Sequence, residues 1–373
     1  MKRIICFCLV ISLLVPIRVF AIGSSARAAI VINGDTGEVV YEHNADACLP
    51  MASTTKIMTG LILCEYGDLE REITVTAEML RVEGSSMGLL AGDRVTLHDL
   101  LYGLMLASGN DAANVIAYVL GGTVNGFVRR MNEKAVELGL ENTNFVTPSG
   151  LDADGHYTTA RDLANLARIA MQNETFAKVV SSKTATLCYG NPPYKRTLTN
   201  HNKMLKSFEG AVGVKTGFTK KSGRCLVSAA KRDGKFVIAV TLNDPNDWAD
   251  HKELLEYGLG MIKTTVINPP QNEYRVDVIG GVQDSLNVTA ESITTSSLTE
   301  DDFSCSVNLP RFIYAPVKKG DKIGTAVYKK GDSIIATKEL VADIDIINEP
   351  QKRSAFNEIM ENIVYIFNGL WEK

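Results

Sequence analysis

The spacing of apolar residues along the chain changes from strand-like to helical and back again. Residues 28–32 form a continuous apolar run typical of a buried strand, and residues 38–41 pair back on it across an Asn-Gly-Asp-Thr-Gly turn. Helical spacing then dominates to about residue 180, with helices predicted at 53–66, 97–106, 111–120, 124–138 and 159–171. Short β-rich runs return at 211–218, 224–230 and 236–242, and a further helix is predicted at 250–262.

This order, with strands at both ends and helices between them, predicts an α+β fold. One antiparallel sheet built from the first and last strands, with a helical insert beside it, accounts for the order. Chemistry is then expected in the cleft between the sheet and the insert.

A small all-β domain is predicted after a Pro-containing linker at residues 268–272. At 373 residues the chain is long enough for two domains. From about residue 273 to 347 it consists of short alternating runs with Gly-Asp turns, as in a β domain. The predicted boundaries are 24–265 for the first domain and 266–349 for the second.

The first residues have the pattern of a secretory signal. Lys2 and Arg3 precede an apolar run of about a dozen residues, shorter than the ~20 that a spanning helix needs. Val19-Phe20-Ala21 then provides small residues for cleavage, which predicts a signal peptide at residues 1–21 and an exported protein. Cleavage after Ala28 and an uncleaved anchor are the alternatives.

Residues 350–373 are predicted to form an amphipathic helix. Its apolar residues recur three and four positions apart: Phe356, Ile359, Met360, Ile363, Val364, Phe367, Leu370 and Trp371. Such a helix can pack on its own domain or lie on a membrane surface, and the exported context and the tryptophan favour the membrane. Its charged residues sum to zero, so binding would depend on apolar insertion more than on anionic lipid.

Composition narrows the classes of function. Removal of the three basic residues of the signal changes the formal net charge from −4 to −7, which argues against a nucleic-acid partner. The remaining cysteines, at positions 48, 64, 188, 225 and 305, are odd in number and scattered. They indicate neither a disulfide scaffold nor a zinc site and are expected to be small hydrophobes, mostly buried. The five histidines show no metal-binding spacing either.

The stretch "MASTTKIMTG" places Ser53 three positions before Lys56 at the predicted start of a helix. Residues at that spacing share a helix face, so Lys56 Nζ can reach Ser53 Oγ. A serine hydroxyl becomes a strong nucleophile when a base removes its proton, and a lysine of lowered pKa can be that base. The alternative is an ordinary polar pair, because so short a motif also occurs by chance. A second S-x-x-K, Ser228 to Lys231, is such a case, since it lies on a predicted strand where the two side chains point to opposite faces.

Two further motifs give the first one its meaning. Ser108-Gly109-Asn110 lies between helical segments, and Lys215-Thr216-Gly217 lies on a strand after the insert. Each tripeptide is expected by chance about once in several thousand positions. Taken alone, Ser108 could cap a helix and Lys215 could be a solvated strand lysine. In this order and context, the three motifs together predict serine acyl transfer.

With these motifs the chain resembles the serine-type D-alanyl-D-alanine carboxypeptidases, the low-molecular-mass penicillin-binding proteins. "VEGSSMGLLAGD", "LMLASGNDAAN" and "VGVKTGFT" are also similar to that family's signature regions, and the resemblance covers nearly the whole chain. It implies a β-lactamase/transpeptidase-like sheet with a helical insert, a small β-sandwich that acts as a stalk or docks a partner, and a membrane-associating terminal helix. The implied activity is removal of the terminal D-alanine from peptidoglycan stem pentapeptides outside the cytoplasmic membrane. No metal or other cofactor is implied, and β-lactam antibiotics are expected to be covalent inhibitors.

The resemblance also implies the catalytic roles. Ser53 forms the acyl-enzyme and Lys56 is its general base. Ser108 and Lys215 relay the proton toward the leaving D-alanine nitrogen, and Asn110 holds the amide backbone of the substrate.

The strand motif is expected to bind the substrate. Thr216, with Lys215, faces the terminal carboxylate, and Gly217 leaves room for the substrate along the strand edge. The backbone N–H groups of Ser53 and Phe218 are expected to form the oxyanion hole. The chain departs from the family where an arginine often follows the last sheet strand, and Arg224 is a candidate replacement.

Three other functions share some of these sequence features. A lipase-type hydrolase would use Gly84-Ser85-Ser86-Met87-Gly88 as a strand-to-helix elbow, but this stretch is predicted to be a loop. A β-lactamase shares the three motifs but needs a glutamate-held water, and its E-x-x-L-N signal is absent. A penicillin sensor or wall-binding protein without turnover would need a transmembrane route, and no second apolar span is found.

Overall fold

The computed structural model describes residues 23–299 and 302–349, together with Met360, Ile363 and Val364. The predicted signal peptide lies outside the described residues, and so does most of the predicted terminal helix. The three described tail residues are helical and exposed. Among the described residues, no helix combines the length and the apolar character needed to cross a membrane.

The helices, in chain order, are α1 (Lys56–Tyr66), α2 (Leu97–Met105), α3 (Asn110–Gly121), α4 (Val124–Glu137), α5 (Ala160–Ala170), α6 (Glu174–Ser181), α7 (Met204–Ser207) and α8 (Asp247–Met261). The strands are β1 (Ala28–Asn33), β2 (Val39–His43), β3 (Glu72–Thr74), β4 (Arg94–Thr96), β5 (Thr184–Gly190), β6 (Pro193–Thr199), β7 (Ala211–Thr219), β8 (Gly223–Arg232), β9 (Lys235–Leu242), β10 (Lys263–Ile267), β11 (Glu273–Ile279), β12 (Ser285–Thr289), β13 (Ile293–Ser297), β14 (Phe303–Asn308), β15 (Phe312–Tyr314), β16 (Lys322–Lys330) and β17 (Ser333–Val341).

A five-stranded antiparallel sheet from both ends of the first domain organises that domain, as predicted. Its order is β2-β1-β9-β8-β7, so β7 is an edge strand. The β8–β9 hairpin turns through Asp233 and Gly234, both at positive φ, which suits a tight two-residue turn. Alternate side chains of β8 face different cores: Val227 packs toward the helical insert and Leu226 packs toward α8.

The helical insert contains the predicted helices and a sheet that the pattern missed. Strands β3, β4, β5 and β6 form that four-stranded sheet, in that order. The β5–β6 hairpin joins Thr184 to Thr199 across a cis Asn191–Pro192 turn. Most side chains of β6 are exposed, so its sequence lacks the apolar alternation by which a half-buried strand is recognised.

The second domain is a sandwich of two small sheets. One has the order β12-β11-β15 and the other β14-β16-β17. Val276 and Val288 of the first sheet share a core with Tyr328 and Leu340 of the second. Apolar residues on alternate positions of short strands produce this arrangement.

The division of the chain into compact units differs slightly from the predicted boundary. One unit runs to Thr264 and also includes Ser296–Thr299, and the other begins at Thr265. Within the first unit, Ser296 Oγ donates to Asp35 Oδ2 at 2.6 Å and Ser297 Oγ to Glu38 Oε2 at 3.0 Å. A polar segment far along the chain therefore bonds to the β1–β2 turn, a pairing that local pattern does not indicate.

All five described cysteines are free. Cys64 and Cys225 are buried, but Cys48 and Cys188 are exposed and Cys305 is intermediate. The expectation that these cysteines are mostly buried is therefore wrong. Cys188 lies on β5, in the hairpin that the pattern missed, which explains the error at that position.

Candidate active site

Ser53 and Lys56 lie on one face at the start of α1. Ser53 belongs to a 3-10 turn, Ala52–Thr55, and Lys56 is the first residue of the helix. Side chains three residues apart eclipse one another in 3-10 geometry. Lys56 Nζ accordingly lies 3.0 Å from Ser53 Oγ. Ala52 has a positive φ of 48°, so the backbone turns sharply immediately before the serine.

The partners of Lys56 leave only one direction for a lone pair. Its Nζ lies 2.8 Å from Asn110 Oδ1 and 2.6 Å from Ser149 O, in addition to the serine hydroxyl. Amide and carbonyl oxygens only accept hydrogen bonds, so both must receive a proton from the amine. A neutral Lys56 has two N–H groups, which these two acceptors use. Its lone pair then faces Ser53, as a general base requires.

The surroundings of Lys56 favour that neutral form. Lys56 is fully buried, and burial is the main cause that holds its pKa well below the ordinary lysine value. The positive charge of Lys215 lowers the pKa further, whereas Asp111 opposes the shift. Burial also lowers the pKa of Lys215, to about 7. Burial and the charge of Lys215 thus both favour a neutral Lys56.

The Ser108-Gly109-Asn110 motif forms the turn between α2 and α3. Ser108 is buried with a φ of 56°, and Asn110 is the first residue of α3. A side chain at Gly109 would meet Asp111 Oδ1 at 2.6 Å and the Met87 nitrogen at 3.2 Å. The missing side chain at this position, which departs from the S-D-N pattern, therefore has a steric reason here.

Strand β7 lies directly against the 3-10 turn Ala52–Thr55, which carries Ser53. A Cβ atom at Gly217 would be 3.0 Å from Met51 O and 3.1 Å from Ser53 N. A side chain here would push against the turn that carries Ser53, so glycine suits this close approach. A strand edge beside the serine can receive an extended peptide. Lys215 is buried with its Nζ donating to Thr216 O at 3.0 Å, and the Phe218 side chain is 65% exposed.

Arg224 is committed to another partner. Its Nε lies 3.0 Å from Asp247 Oδ1, at the first residue of α8. The register of β7 and β8 pairs Arg224 with Phe218, and Lys215 with Val227. A role for Arg224 toward the substrate carboxylate remains a prediction.

The stretch from Gly84 to Gly88 is a loop without regular structure, so the lipase-type elbow is excluded here. Asn110 Nδ2 donates to Glu83 O at 2.6 Å, and Asn110 N donates to Ser85 O at 2.7 Å. The loop therefore belongs to the wall beside Asn110. It contributes no strand-to-helix nucleophile.

Sequence reasoning missed two residues that hold this site. Asp111 accepts from Ser86 Oγ at 2.5 Å, and the backbone nitrogens of Met87, Gly88 and Leu89 also donate to it. His156 Nδ1 accepts from Val146 N at 2.9 Å, which places its proton on Nε2, 2.8 Å from Thr55 Oγ1. Thr55 Oγ1 in turn donates to Ala52 O at 2.8 Å, beside the nucleophile. The only local signal was the position of Asp111 next to Asn110.

Comparisons with known proteins agree with this geometry. A family model described as "D-alanyl-D-alanine carboxypeptidase" matches residues 18–246. A second model, described as "Penicillin-binding protein 5, C-terminal domain", matches residues 269–347. The chain is 31% identical over 369 residues to D-alanyl-D-alanine carboxypeptidase DacF of Bacillus subtilis, a match that covers 95% of this chain and 92% of the relative.

Solved structures give the same result. The Streptomyces K15 DD-transpeptidase superposes with a TM-score of 0.61 at 35% identity, covering 64% of this chain and 98% of that one. D-alanyl-D-alanine carboxypeptidase DacD of Francisella tularensis superposes with a TM-score of 0.62 at 27% identity, covering 89% of this chain and 96% of that one. These matches favour a carboxypeptidase over a β-lactamase or a sensor. The chain belongs to the D-alanyl-D-alanine carboxypeptidase family.

Proposed function

We propose that this D-alanyl-D-alanine carboxypeptidase acts through an acyl-enzyme on Ser53, with Lys56 as the base. Ser53 Oγ attacks the carbonyl carbon of the penultimate D-alanine, and its proton moves to Lys56 Nζ. The carbonyl oxygen becomes negative and accepts from the backbone N–H groups of Ser53 and Phe218. The observation that carries the proposal is the 3.0 Å contact between Lys56 Nζ and Ser53 Oγ, with the acceptor oxygens of Asn110 and Ser149 occupying the other sides of the amine.

The second half of the cycle returns the proton. The amine of the terminal D-alanine leaves when it takes a proton, which Lys215 and Ser108 relay. Water then attacks the ester at Ser53 and releases the shortened peptide, with Lys56 again accepting a proton. Asn110 supports the amide backbone of the substrate, while Lys215 and Thr216 receive the terminal carboxylate. A partly charged Lys215, with a pKa of about 7, suits both tasks.

The substrate is proposed to be the stem pentapeptide of peptidoglycan, and penicillin to be a covalent inhibitor of the same serine. Free D-alanine released from diacetyl-Lys-D-Ala-D-Ala measures the carboxypeptidase activity. The mass of the intact protein after penicillin treatment measures covalent inhibition. The expected result is D-alanine release by the wild type and none above background by Ser53→Ala. Equal release by the two proteins would exclude this mechanism. Fast, repeated hydrolysis of nitrocefin would instead indicate a β-lactamase.

We further propose that the enzyme works at the outer face of the cytoplasmic membrane, held there by the helix predicted at residues 350–373. The support is the eight-residue apolar stripe of that segment and the predicted secretory signal. Sedimentation of the full chain with phospholipid vesicles tests it. A chain that stays in the supernatant at every lipid concentration would contradict the membrane association.

A further inference from the structure

One face of the sheet β12-β11-β15 changes from polar to apolar along its length. The solvent-facing positions of β11 are three charged residues followed by Ile279, which is 46% exposed. On β15, Phe312 is 45% and Tyr314 is 68% exposed, and their rings lie 5.5 Å apart. The parallel register pairs Ile279 with Tyr314 and Asp277 with Phe312. The exposed apolar side chains therefore lie at one end of the face, next to the charged Asp277.

The chain leaves this domain at the same end. Val282 N donates to Ile347 O at 3.0 Å, and both side chains are at least half exposed. Two residues later, Glu349 N donates to Gly280 O at 2.8 Å. Glu349, the last residue described before the predicted tail, therefore lies against the loop that follows Ile279. We call Ile279, Val282, Phe312, Tyr314 and Ile347 the apolar end of the β domain.

We propose that the apolar end of the β domain is a second membrane contact, which enters the lipid interface together with the tail. The proposal rests on the membrane association under "Proposed function" and adds a surface within the folded domain to it. Tyrosine suits such a contact, because an aromatic ring with a polar tip favours the boundary between lipid and water, and phenylalanine adds apolar area. Two weak membrane contacts also give stable attachment where one is marginal and reversible.

The tail itself is the competing occupant of the apolar end. A helix of the 24 residues 350–373 is about 36 Å long at 1.5 Å per residue. The apolar end has five side chains on neighbouring strand ends and loops, so it can cover only a fraction of the eight-residue apolar stripe. The described stripe residues Met360, Ile363 and Val364 are 44%, 40% and 53% exposed, so the domain leaves them open. A flat lipid surface accommodates both apolar regions at once.

Vesicle binding of matched variants tests the proposal. The double variant Phe312→Ser/Tyr314→Ser weakens the apolar end, and Ile334→Ser/Val341→Ser is its control, because these two residues are exposed apolar side chains on β17. Partition of each full chain between buffer and vesicles of phosphatidylcholine with phosphatidylglycerol is measured by sedimentation. The first variant is expected to partition about tenfold less than the wild type, and the control within about twofold of it. Equal partition of the two variants would overturn the proposal.

Two further measurements separate the possible failures. If the wild type does not bind vesicles at all, the proposed membrane association fails. If the wild type binds and the Phe312/Tyr314 variant binds equally well, only the proposed second contact fails. Phe312→Trp in a background of Trp248→Phe and Trp371→Phe is the single tryptophan of the chain, so its emission reports the surroundings of the apolar end. Its emission is expected to shift to the blue only when vesicles are added. A blue-shifted emission without lipid would show that the tail or another copy covers this end, and would overturn the proposal. Unfolding curves of each variant by urea verify that the β domain remains folded.

Discussion

The two faces of the five-stranded sheet carry similar polar clusters with different consequences. Toward the insert, His156 accepts from Val146 N and lies 2.8 Å from Thr55 Oγ1. Toward α8, His251 lies 2.5 Å from Ser228 Oγ and 2.9 Å from Thr241 Oγ1. Both histidines are buried, and burial lowers the pKa of His156 to about 4 and that of His251 to about 3.

Each region also contains a serine three residues before a lysine. Ser53 and Lys56 meet at 3.0 Å, whereas Ser228 faces a histidine and Lys231 lies over the ring of Phe236 at 4.6 Å. A helical turn brings residues three apart together, but a strand sends them to opposite sides. The same residue types and spacing therefore form a serine–lysine contact at the start of α1 and two separate structural contacts on β8.

The largest difference is expected between the two serines. Ser53→Ala should lower the release of D-alanine at least about 10⁴-fold, because it removes the hydroxyl that lies 3.0 Å from Lys56 Nζ. Ser228→Ala should leave the rate within about twofold and cost about 1–3 kcal/mol of stability, since it leaves one nitrogen of His251 unpaired. D-alanine release and urea unfolding of both variants provide the measurement. A Ser228→Ala enzyme as inactive as Ser53→Ala would contradict the contrast between the faces.

Two glycines sharpen the comparison sterically. Gly217→Ala should slow acylation by penicillin about 100-fold, because its methyl group pushes β7 away from the turn that carries Ser53. Gly260→Ala, on α8, meets nothing within 4 Å and should leave the rate unchanged. It should also stabilise the helix by about 0.5–1 kcal/mol. Acylation rates and unfolding curves of the two variants test this pair, and an unhindered Gly217→Ala would refute the close approach of the strand.

Acid should lower the free energy of unfolding through the buried histidines His156 and His251. Each folded pKa lies below the ordinary value of 6.5, so the unfolded chain takes up protons first as the pH falls. Stability is therefore complete above pH 6.5 and decreases below it, by roughly 1.4 kcal/mol per pH unit for each histidine. Between pH 7 and pH 5 the His251→Gln variant should lose about 2 kcal/mol less than the wild type. Urea unfolding at the two pH values provides the measurement, and equal losses would show that His251 does not carry the effect.

The smallest expected effect is kinetic and belongs to one face only. His156→Gln should reduce kcat about tenfold at unchanged KM, because the turn that carries Ser53 loses its support through Thr55. His251→Gln should lose stability without a change in kcat. Steady-state release of D-alanine, measured well below both unfolding temperatures, distinguishes positioning from simple destabilisation. Equal kcat values for the two variants would show that His156 does not position the turn that carries Ser53.

The parts of the site that sequence predicted are those that depend on neighbours in the chain. Ser53 and Lys56 are three residues apart, and helical spacing was enough to place them together. The antiparallel sheet also followed from the order of strands and helices. By contrast, Thr55 and His156 are separated by 101 residues, and no local pattern connects them. Asp111 binds a loop more than twenty residues earlier in the chain. The periodicity of apolar residues does not indicate this contact either.

The hairpin β5–β6 shows a different limit. Strand β5 does alternate exposed and buried side chains, but the apolar Cys188 occupies one of the exposed positions, and β6 exposes Tyr194 together with most of its other residues. Such strands carry little of the period-two signal in their sequence. Helical segments of the insert, which bury one full side, were found because their apolar residues repeat.

The exposed side chain of Phe218 has a consequence for how such an enzyme can evolve. In the proposed mechanism this residue acts through its backbone N–H alone, while its ring lies 65% open to solvent. A side chain at its neighbour Gly217 would crowd the turn that carries Ser53, whereas the exposed side chain at position 218 can change without that effect. Natural variation in which peptides and antibiotics the enzyme accepts is therefore expected to accumulate at that one ring.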